Sequence, residues 1–195
     1  MFTGIIEDIG EVRAIQKEGG NIHFTIASAL SSGFKIDQSV AHNGCCLTVV
    51  SQHDDQHVVT AIQETLIKTN LGSWQVGSKI NMERCMQLGG RLDGHLVQGH
   101  VDCVGKCTEL LDENGSWRFT FSHPDSFVTV EKGSITVNGT SLTVVDAQKG
   151  RFSVCIIPYT YEHTNFHQIE VGTEVNLEFD IIGKYVARYL VLQQP

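Results

Sequence analysis

Hydrophobic and polar side chains alternate in short segments along this chain, which is the pattern of β-strands that bury one face. Ile22, Phe24 and Ile26 fall on one face of such a segment, whereas His23 and Thr25 fall on the other. Segments of this kind recur between glycine and asparagine turn residues, and few stretches show a helical period. The pattern therefore predicts an all-β protein.

Two asparagine-glycine pairs mark the tightest predicted turns. Both residues of such a pair accept positive φ, so Asn43-Gly44 and Asn138-Gly139 each predict a two-residue β-hairpin. The remaining strands are predicted at 5–15, 21–27, 45–50, 58–62, 79–83, 140–145, 152–157 and 174–179. Gly10, inside the first of these strands, indicates a β-bulge. Short helical turns are predicted at 64–71 and 161–166.

The chain contains an internal duplication. The segment 39–50, SVAHNGCCLTVV, recurs at 134–145 as SITVNGTSLTVV, an offset of 95 residues. The offset holds without a gap, because residues 1–83 and 96–178 share 23 identical positions, where chance would give roughly 5. A gapless match of this length indicates duplication of one folding unit. Short strands with frequent turns predict a small closed barrel in each copy.

The duplication also sets the expected domains. We expect an N-terminal barrel at 1–86, a C-terminal barrel at 96–182 and a C-terminal oligomerisation helix at 183–195. Four side chains are spaced as on one face of that helix: Tyr185, Val186, Tyr189 and Leu190. On the pattern alone, this face fits packing on the chain's own barrel as well as packing against another subunit.

Composition disfavours several classes of function. The net charge is −8, which argues against a nucleic-acid phosphate backbone as the partner. No apolar run approaches the roughly 18–20 residues of a membrane span, and the N-terminus lacks the basic region of a signal peptide. We therefore expect a cytoplasmic protein. Its six cysteines are expected to be reduced thiols, and their spacing does not match a zinc site.

Positions where the two copies differ are the first candidates for chemistry. His100 occupies the place of Ile5, and histidine is the side chain best suited to proton transfer near neutral pH. A hydrogen-bonded structural histidine is the alternative. Cys46 is replaced by Ser141, so a small polar group is kept at one position. That position fits a ligand contact, or a structural cysteine that behaves as a small hydrophobe.

Other candidates are weaker. Two threonine pairs are kept between the copies and fit either ligand contacts or turns: Thr48 with Thr143, and Thr65 with Thr160. Lys132 replaces Asp37, although a lone lysine is more often a solvated surface residue. The sequence has no phosphate-binding loop, no nucleophile elbow and no H-E-x-x-H helix. Any chemistry must therefore come from isolated polar side chains at the barrel mouths.

Six segments together resemble the riboflavin synthase family: MFTGIIEDIG, SVAHNGCCLTV, GGRLDGHLVQGHVD, GSITVNGTSLTV, IIPYTYEHTN and VNLEFDIIGKYVARYL. The resemblance covers essentially the whole chain. It implies two tandem six-stranded Greek-key β-barrels plus a C-terminal α-helix that helps to assemble a homotrimer. Each barrel would bind one 6,7-dimethyl-8-ribityllumazine. One lumazine would transfer four carbons to the other, giving riboflavin and 5-amino-6-ribitylaminouracil without a metal or redox cofactor.

The resemblance also implies the site residues. Three polar side chains match those thought to assist catalysis: His100, Ser39 and Cys46. The implied substrate contacts, grouped by barrel, are Gly4, Ile5, Ile6, Cys46, Leu47, Thr48, Thr60, Ala61, Ile62, Gln63, Glu64 and Thr65 in the first, and Gly99, His100, Val101, Lys132, Ser141, Leu142, Thr143, Cys155, Ile156, Ile157, Pro158, Tyr159, Thr160 and Asp180 in the second. In this family the active site is thought to form between barrels of neighbouring subunits.

Two further expectations follow from the resemblance. The same fold includes non-catalytic antenna proteins that bind a lumazine or a flavin, and these look altered in the segment matching GHLVQGHVD. That segment is intact here, and His100, Cys46 and Ser39 are all present, which favours the enzyme. Lumazine synthase, the enzyme that makes the substrate, is a candidate partner.

Overall fold

The structure is a computed structural model that describes residues 1–193. It contains two closed six-stranded antiparallel barrels followed by one helix, as the pattern and the resemblance predict. The last two residues of the predicted helical segment 183–195 lie outside the described part of the chain. No helix within residues 1–193 is long and apolar enough to cross a membrane.

The two barrels have the same strand order. The strands of the first barrel are β1 Asp8–Glu18, β2 Asn21–Ala27, β3 Ser39–His42, β4 Cys45–His53, β5 Gln56–Ala61 and β6 Lys79–Arg84. Those of the second are β7 Cys103–Asp112, β8 Trp117–Ser122, β9 Ser134–Val137, β10 Thr140–Gln148, β11 Arg151–Ile156 and β12 Glu174–Phe179. The first barrel closes in the order β1-β2-β5-β4-β3-β6, and the equivalent strands close the second. Closure removes the exposed sheet edges.

Each barrel has a short helix after its fifth strand. These helices, α1 Gln63–Lys68 and α2 Pro158–His163, correspond to the predicted helical turns. The C-terminal helix, α3 Ile181–Leu192, begins two residues before the predicted start at 183. Asp180 explains the earlier start, because its carboxylate accepts the Ile182 N–H at 2.9 Å as an N-cap.

The asparagine-glycine turns have the predicted geometry. Asn43 and Gly44 have φ of 46° and 77°, and Asn138 and Gly139 have φ of 46° and 80°. The bulge predicted at Gly10 is wrong in position, because the register of β1 against β2 shifts after Val12. A Cβ on Gly10 would lie 2.5 Å from Met82 Sδ. Gly10 therefore allows close packing inside the barrel.

The chain before β1 leaves the first barrel, so the predicted strand 5–15 begins only at Asp8. We call residues 1–7 and 96–102 the lead segments, because each precedes the first strand of its repeat. The lead segments pair with each other: Phe2 N–H donates to Val97 O at 2.7 Å, and Val97 N–H donates to Phe2 O at 3.2 Å. Phe2 and Val97 are equivalent under the offset of 95 residues, so the bridge lies on a pseudo-twofold axis.

Six buried asparagines hold the barrels together about the same axis: Asn43, Asn70, Asn81, Asn138, Asn165 and Asn176. Asn81 Nδ2 donates to Asn138 O at 3.0 Å, and its equivalent Asn176 donates to Asn43 O at 2.9 Å. The two glycines of the hairpin turns also meet, since a Cβ on Gly44 would lie 2.7 Å from Gly139 N. Buried amides that find partners in this way fix one docking geometry.

Candidate functional site

Each lead segment lies against the barrel of the other repeat. Cys46 N–H donates to Gly99 O at 2.8 Å, and the equivalent Ser141 N–H donates to Gly4 O at 2.7 Å. A Cβ on Gly99 would lie 2.7 Å from the Cβ of Cys46, and one on Gly4 would lie 2.5 Å from the Cβ of Ser141. Only glycine allows the backbones to approach this closely.

Two candidate half-sites result, each built from both repeats. The first half-site combines Cys46–Thr48 on β4 and 60–65, from the end of β5 into α1, with 99–101 of the second lead segment. Val101 packs against the core of the first barrel, whose strands it does not belong to. The second half-site combines Ser141–Thr143 on β10 and 155–160 with 4–6 of the first lead segment.

This arrangement differs from the sequence-based grouping. That grouping assigned Gly4, Ile5 and Ile6 to the first barrel, and Gly99, His100 and Val101 to the second. The lead segments cross over because they pair with each other at the pseudo-twofold axis before joining their own barrels. The roles of these residues as substrate contacts stay predictions, but their partners across the half-sites are exchanged.

Ser39 and Cys46 lie side by side in the first half-site. Ser39 on β3 stands opposite Thr48, and Cys46 opposite Ala41, in the antiparallel pairing of β3 with β4. Burial raises the pKa of the Cys46 thiol, and a hydrogen bond with Ser39 offsets part of that rise. A raised pKa favours the neutral thiol, so Cys46 is suited to contact or orient a ligand and poorly suited to act as a nucleophile.

His100 is exposed at the edge of the first half-site. Within residues 1–193 its imidazole makes no hydrogen bond, whereas its backbone N–H donates to Glu178 Oε2 at 2.9 Å. The backbone is therefore fixed while the ring stays open to solvent. A group that must exchange a proton with a ligand needs this kind of access.

His95 is a candidate that the sequence reasoning missed. Its Nδ1 lies 2.7 Å from Ser141 Oγ, and its backbone N–H donates to Thr3 O at 3.1 Å. Burial lowers the pKa of His95, and the nearby Asp180 carboxylate opposes that shift. Through its contact with Ser141, His95 therefore belongs to the second half-site. The signal was the first histidine of the motif HLVQGHVDC, which has no equivalent position in the first repeat.

The two remaining predicted residues flank the second half-site. Lys132 has a left-handed backbone, with φ of 64°, and its N–H donates to Val144 O at 2.9 Å. Asp37, its equivalent, has φ of 69° and makes the same bond to Val49 O at 2.9 Å. The backbone is thus kept while the charge is reversed. Asp180 caps α3 beside His95.

Two cavities lie at equivalent places on the barrels but have different walls. The first cavity has a volume of about 570 Å³ and the second about 580 Å³. Their linings share positions related by the offset, among them Gly33, Gln38, Arg84 and Cys85 in the first, and Val128, Gly133, Phe179 and Asp180 in the second. Charged residues from the segment after β6, such as Arg91, complete the first cavity. Apolar residues of α3, such as Val186 and Leu190, complete the second.

Comparison with known proteins identifies the class. The model of the lumazine binding domain matches this chain twice, over residues 3–85 and 98–180. The chain belongs to the lumazine-binding domain family. Its curated relatives include riboflavin synthases. That of Actinobacillus pleuropneumoniae is 41% identical over 100% of this chain and 92% of its own length. That of Mycobacterium tuberculosis is 41% identical over 97% of this chain and 98% of its own length.

Solved structures match the fold. The crystal structure of LumP complexed with riboflavin has a TM-score of 0.85 at 22% identity, covering 91% of this chain and 98% of LumP. LumP complexed with 6,7-dimethyl-8-(1'-D-ribityl) lumazine has a TM-score of 0.83 at 21% identity, with the same coverage. At this level of identity the likeness establishes the duplicated barrel alone.

Proposed function

We propose that this protein catalyses the riboflavin synthase reaction, the dismutation of two molecules of 6,7-dimethyl-8-ribityllumazine into riboflavin and 5-amino-6-ribitylaminouracil. Full-length similarity to riboflavin synthases supports the proposal. The structural observation that carries it is the contact of the His100 lead segment with Cys46, through Cys46 N–H and Gly99 O at 2.8 Å. That contact sets the backbone of the His100 lead segment beside β4, which supports assigning His100, Cys46 and Ser39 to one half-site.

The duplicated architecture suits a reaction between two identical molecules. Two equivalent half-sites can each hold one lumazine, and holding both in place replaces a bimolecular encounter with an oriented one. The 7-methyl group of one lumazine must lose a proton during the transfer. His100, open to solvent at the edge of the first half-site, is the proposed acid–base group. Cys46 and Ser39 are proposed to orient the heterocycle.

Turnover is tested directly by incubating the protein with the lumazine and following the absorbance of riboflavin. We expect riboflavin and the uracil product in equal amounts, from two molecules of lumazine. The second candidate function is that of a non-catalytic antenna protein, which would hold a lumazine or flavin unchanged. Bound lumazine with no riboflavin formed would reject the enzyme and leave the antenna function.

We further propose that the active site forms in a homotrimer, where the first half-site of one subunit meets the second half-site of its neighbour. The support is α3, whose Tyr185, Tyr189 and Leu190 are 73%, 63% and 58% exposed. The apolar cavity at the base of α3 continues this surface. An apolar surface of this kind on a small protein is typical of an interface.

Substitution on α3 tests the assembly. Val186→Glu with Leu190→Glu should place charge on the apolar surface and give monomers in light scattering, with loss of turnover. Both changes spare the α3 residue Lys184 and its ion pair with Asp102, which joins the first turns of the helix to the second lead segment. Arg188→Glu, also on α3 and exposed, is the matched control and should leave the trimer intact. A trimer that survives the double substitution would refute the role of α3.

The cytoplasmic location, which was expected from the sequence, and an association with lumazine synthase, which the resemblance to the family suggests, are two further proposals. Cell fractionation tests the first. Co-purification of the two proteins at their native levels tests the second.

A further inference from the structure

A buried carboxylate holds the backbone of the lead segment that carries His100. Glu178 lies on β12 and is 2% exposed. Its Oε1 accepts the Gln98 N–H at 2.8 Å, and its Oε2 accepts the N–H groups of Gly99 and His100, both at 2.9 Å. Three successive amides that converge on one carboxylate form charge-assisted hydrogen bonds, which are stronger than neutral ones.

The conformation of the lead segment depends on this convergence. Gly99 has φ of 78°, a left-handed value that turns its N–H toward the same acceptor as its neighbours. On the other side, Gly99 O accepts the Cys46 N–H at 2.8 Å. The peptide that carries His100 is therefore clamped between β12 of the second barrel and β4 of the first. Such support matters here, because a non-repetitive segment holds a side chain less precisely than a helix or a strand does.

The first repeat contains a matched carboxylate. Glu83 on β6 is 4% exposed and accepts the Thr3 N–H at 2.7 Å and the Gly4 N–H at 3.0 Å. Thr3 Oγ1 also donates to Glu83 at 2.7 Å. Glu83 and Glu178 are equivalent under the offset, so the same device holds both lead segments. Only the second lead segment carries a histidine after its glycine: His100 follows Gly99, whereas Ile5 follows Gly4.

We propose that Glu178 is a positioning residue for the reaction, acting through the backbone that places His100 over the first half-site. The inference rests on the proposed function, because it assigns Glu178 a role in the turnover that His100 supports. Glu83 has the same role for the other lead segment, which contributes Gly4, Ile5 and Ile6 to the second half-site.

Glu178→Gln is the primary test. Glutamine keeps the size of the side chain but replaces one acceptor oxygen with a donor, so at least one of the three amides loses its partner. A small misplacement of a catalytic group costs up to about 100-fold in rate. We expect kcat for riboflavin formation to fall about tenfold or more, with a smaller change in KM. Glu178→Asp keeps the charge on a shorter side chain and should give an intermediate kcat, so a second variant remains if the first folds poorly.

A double-mutant cycle with His100→Gln separates positioning from general damage. If Glu178 acts through His100, Glu178→Gln should lower kcat in the parent and have little further effect in the His100→Gln protein. Glu83→Gln is the matched variant, and its effect should be the same in both backgrounds, because its lead segment carries no histidine. Independent effects of Glu178→Gln and His100→Gln would overturn the proposal.

Amide hydrogen exchange supplies a measurement that does not depend on turnover. Glu178→Gln should accelerate exchange at residues 98–100 and leave residues 3 and 4 protected, whereas Glu83→Gln should do the reverse. Unchanged exchange at residues 98–100 would overturn the positioning role, even if kcat falls. If the parent protein forms no riboflavin, the proposed function itself is rejected. A change in amide exchange would then report only on the structure of the lead segment and not on catalysis.

Discussion

The two barrels have the same fold but differ in some of their buried side chains. In the first barrel, His42 and His57 are 0% and 1% exposed, whereas Val137 and Phe152 occupy the equivalent buried positions in the second. His42 Nε2 lies 2.8 Å from His57 Nε2, and Ser31 Oγ lies 2.8 Å from His57 Nδ1. The same fold thus encloses three hydrogen-bonded polar side chains in one copy and apolar side chains at the two equivalent positions in the other.

Burial, together with these hydrogen bonds, favours the neutral form of both imidazoles. His42 Nδ1 lies 3.0 Å from Val40 O, and a carbonyl only accepts, so Nδ1 carries the proton. In a neutral His42 the Nε2 atom then accepts from His57 Nε2–H, and His57 Nδ1 accepts from the Ser31 hydroxyl. Burial lowers the pKa of His42 to about 3 and that of His57 to about 4. A proton added to either ring would cost a buried hydrogen bond or an unpaired charge.

The difference shows which features the fold requires. Several contacts near the pseudo-twofold axis use identical residues in both repeats, including Asn81 with Asn176 and Glu83 with Glu178. Interior side chains have diverged instead, since a packed core tolerates a change of chemistry when volume and hydrogen bonding are satisfied. Docking geometry is therefore shared between the barrels, whereas interior chemistry distinguishes them.

The largest expected effect comes from breaking the pairing of the lead segments. Phe2 is fully buried, and a Cβ on Gly99 would lie 2.8 Å from its ring. We expect Phe2→Ala to lower the free energy of unfolding by about 3–5 kcal/mol and to abolish turnover by releasing the His100 segment. Val97→Ala, the equivalent change in the second repeat, should cost only about 2 kcal/mol. Denaturant unfolding measures both values, and equal losses would contradict the asymmetry.

The next effect concerns the difference between His100 and Ile5. His100→Gln should lower kcat about 100-fold or more, the range expected for loss of a general acid–base group. Because the imidazole makes no hydrogen bond within residues 1–193, thermal stability and ligand affinity should change little. Ile5→Gln is the matched change at the equivalent position and should act mainly on KM. Steady-state kinetics separates the two, and an unchanged kcat in His100→Gln would reject the acid–base role.

The effect that is smallest near neutral pH concerns the interior histidines, because it appears only in acid. Because their folded pKa values lie below the ordinary value of 6.5, the unfolded chain binds protons that the folded barrel does not. Stability should therefore be complete above pH 6.5 and be lost as pH falls toward 4, by up to about 1.4 kcal/mol per pH unit for each histidine. His42→Val with His57→Phe, which copies the second barrel, should remove this dependence.

Tryptophan fluorescence can follow the first barrel alone in this experiment. The chain has two tryptophans. Trp74 packs edge-on against Phe24 in the first barrel, and Trp117 stacks on Tyr161 in the second. In a Trp117→Phe background the signal reports only Trp74. If the acid transition of Trp74 persists unchanged after the histidines are replaced, another group controls it.

Local features of the fold were predictable from the sequence. The asparagine-glycine turns could be predicted, because asparagine and glycine accept positive φ whatever the rest of the chain does. The strand at 21–27 was equally predictable from its alternation of apolar and polar residues. The start of α3 at Ile181 was missed, although the capping signal of Asp180 was present. Gly10 was assigned to a bulge because the sequence does not distinguish a bulge from a close approach of side chains.

The exchange of the lead segments could not be predicted. It depends on how the two barrels dock, and the internal repeat shows that two units exist without giving their relative placement. The contact of Gly99 with Cys46 joins residues far apart in sequence. Glu178 and Glu83 were visible only as identical positions, and their burial became meaningful once the amides of the lead segments were placed around them. The residues implied by the resemblance were brought to two half-sites, but in exchanged groups.

The pseudo-twofold axis has a consequence for the history of the chain. At Gly44 with Gly139, and at Phe2 with Val97, each residue meets its own equivalent. These are the contacts of a self-complementary dimer, in which one surface faces a copy of itself. A single-repeat ancestor could therefore have assembled as a symmetric pair with these same contacts. Gene fusion would have preserved the interface while freeing each copy to mutate separately, so that a histidine could arise beside one pocket only.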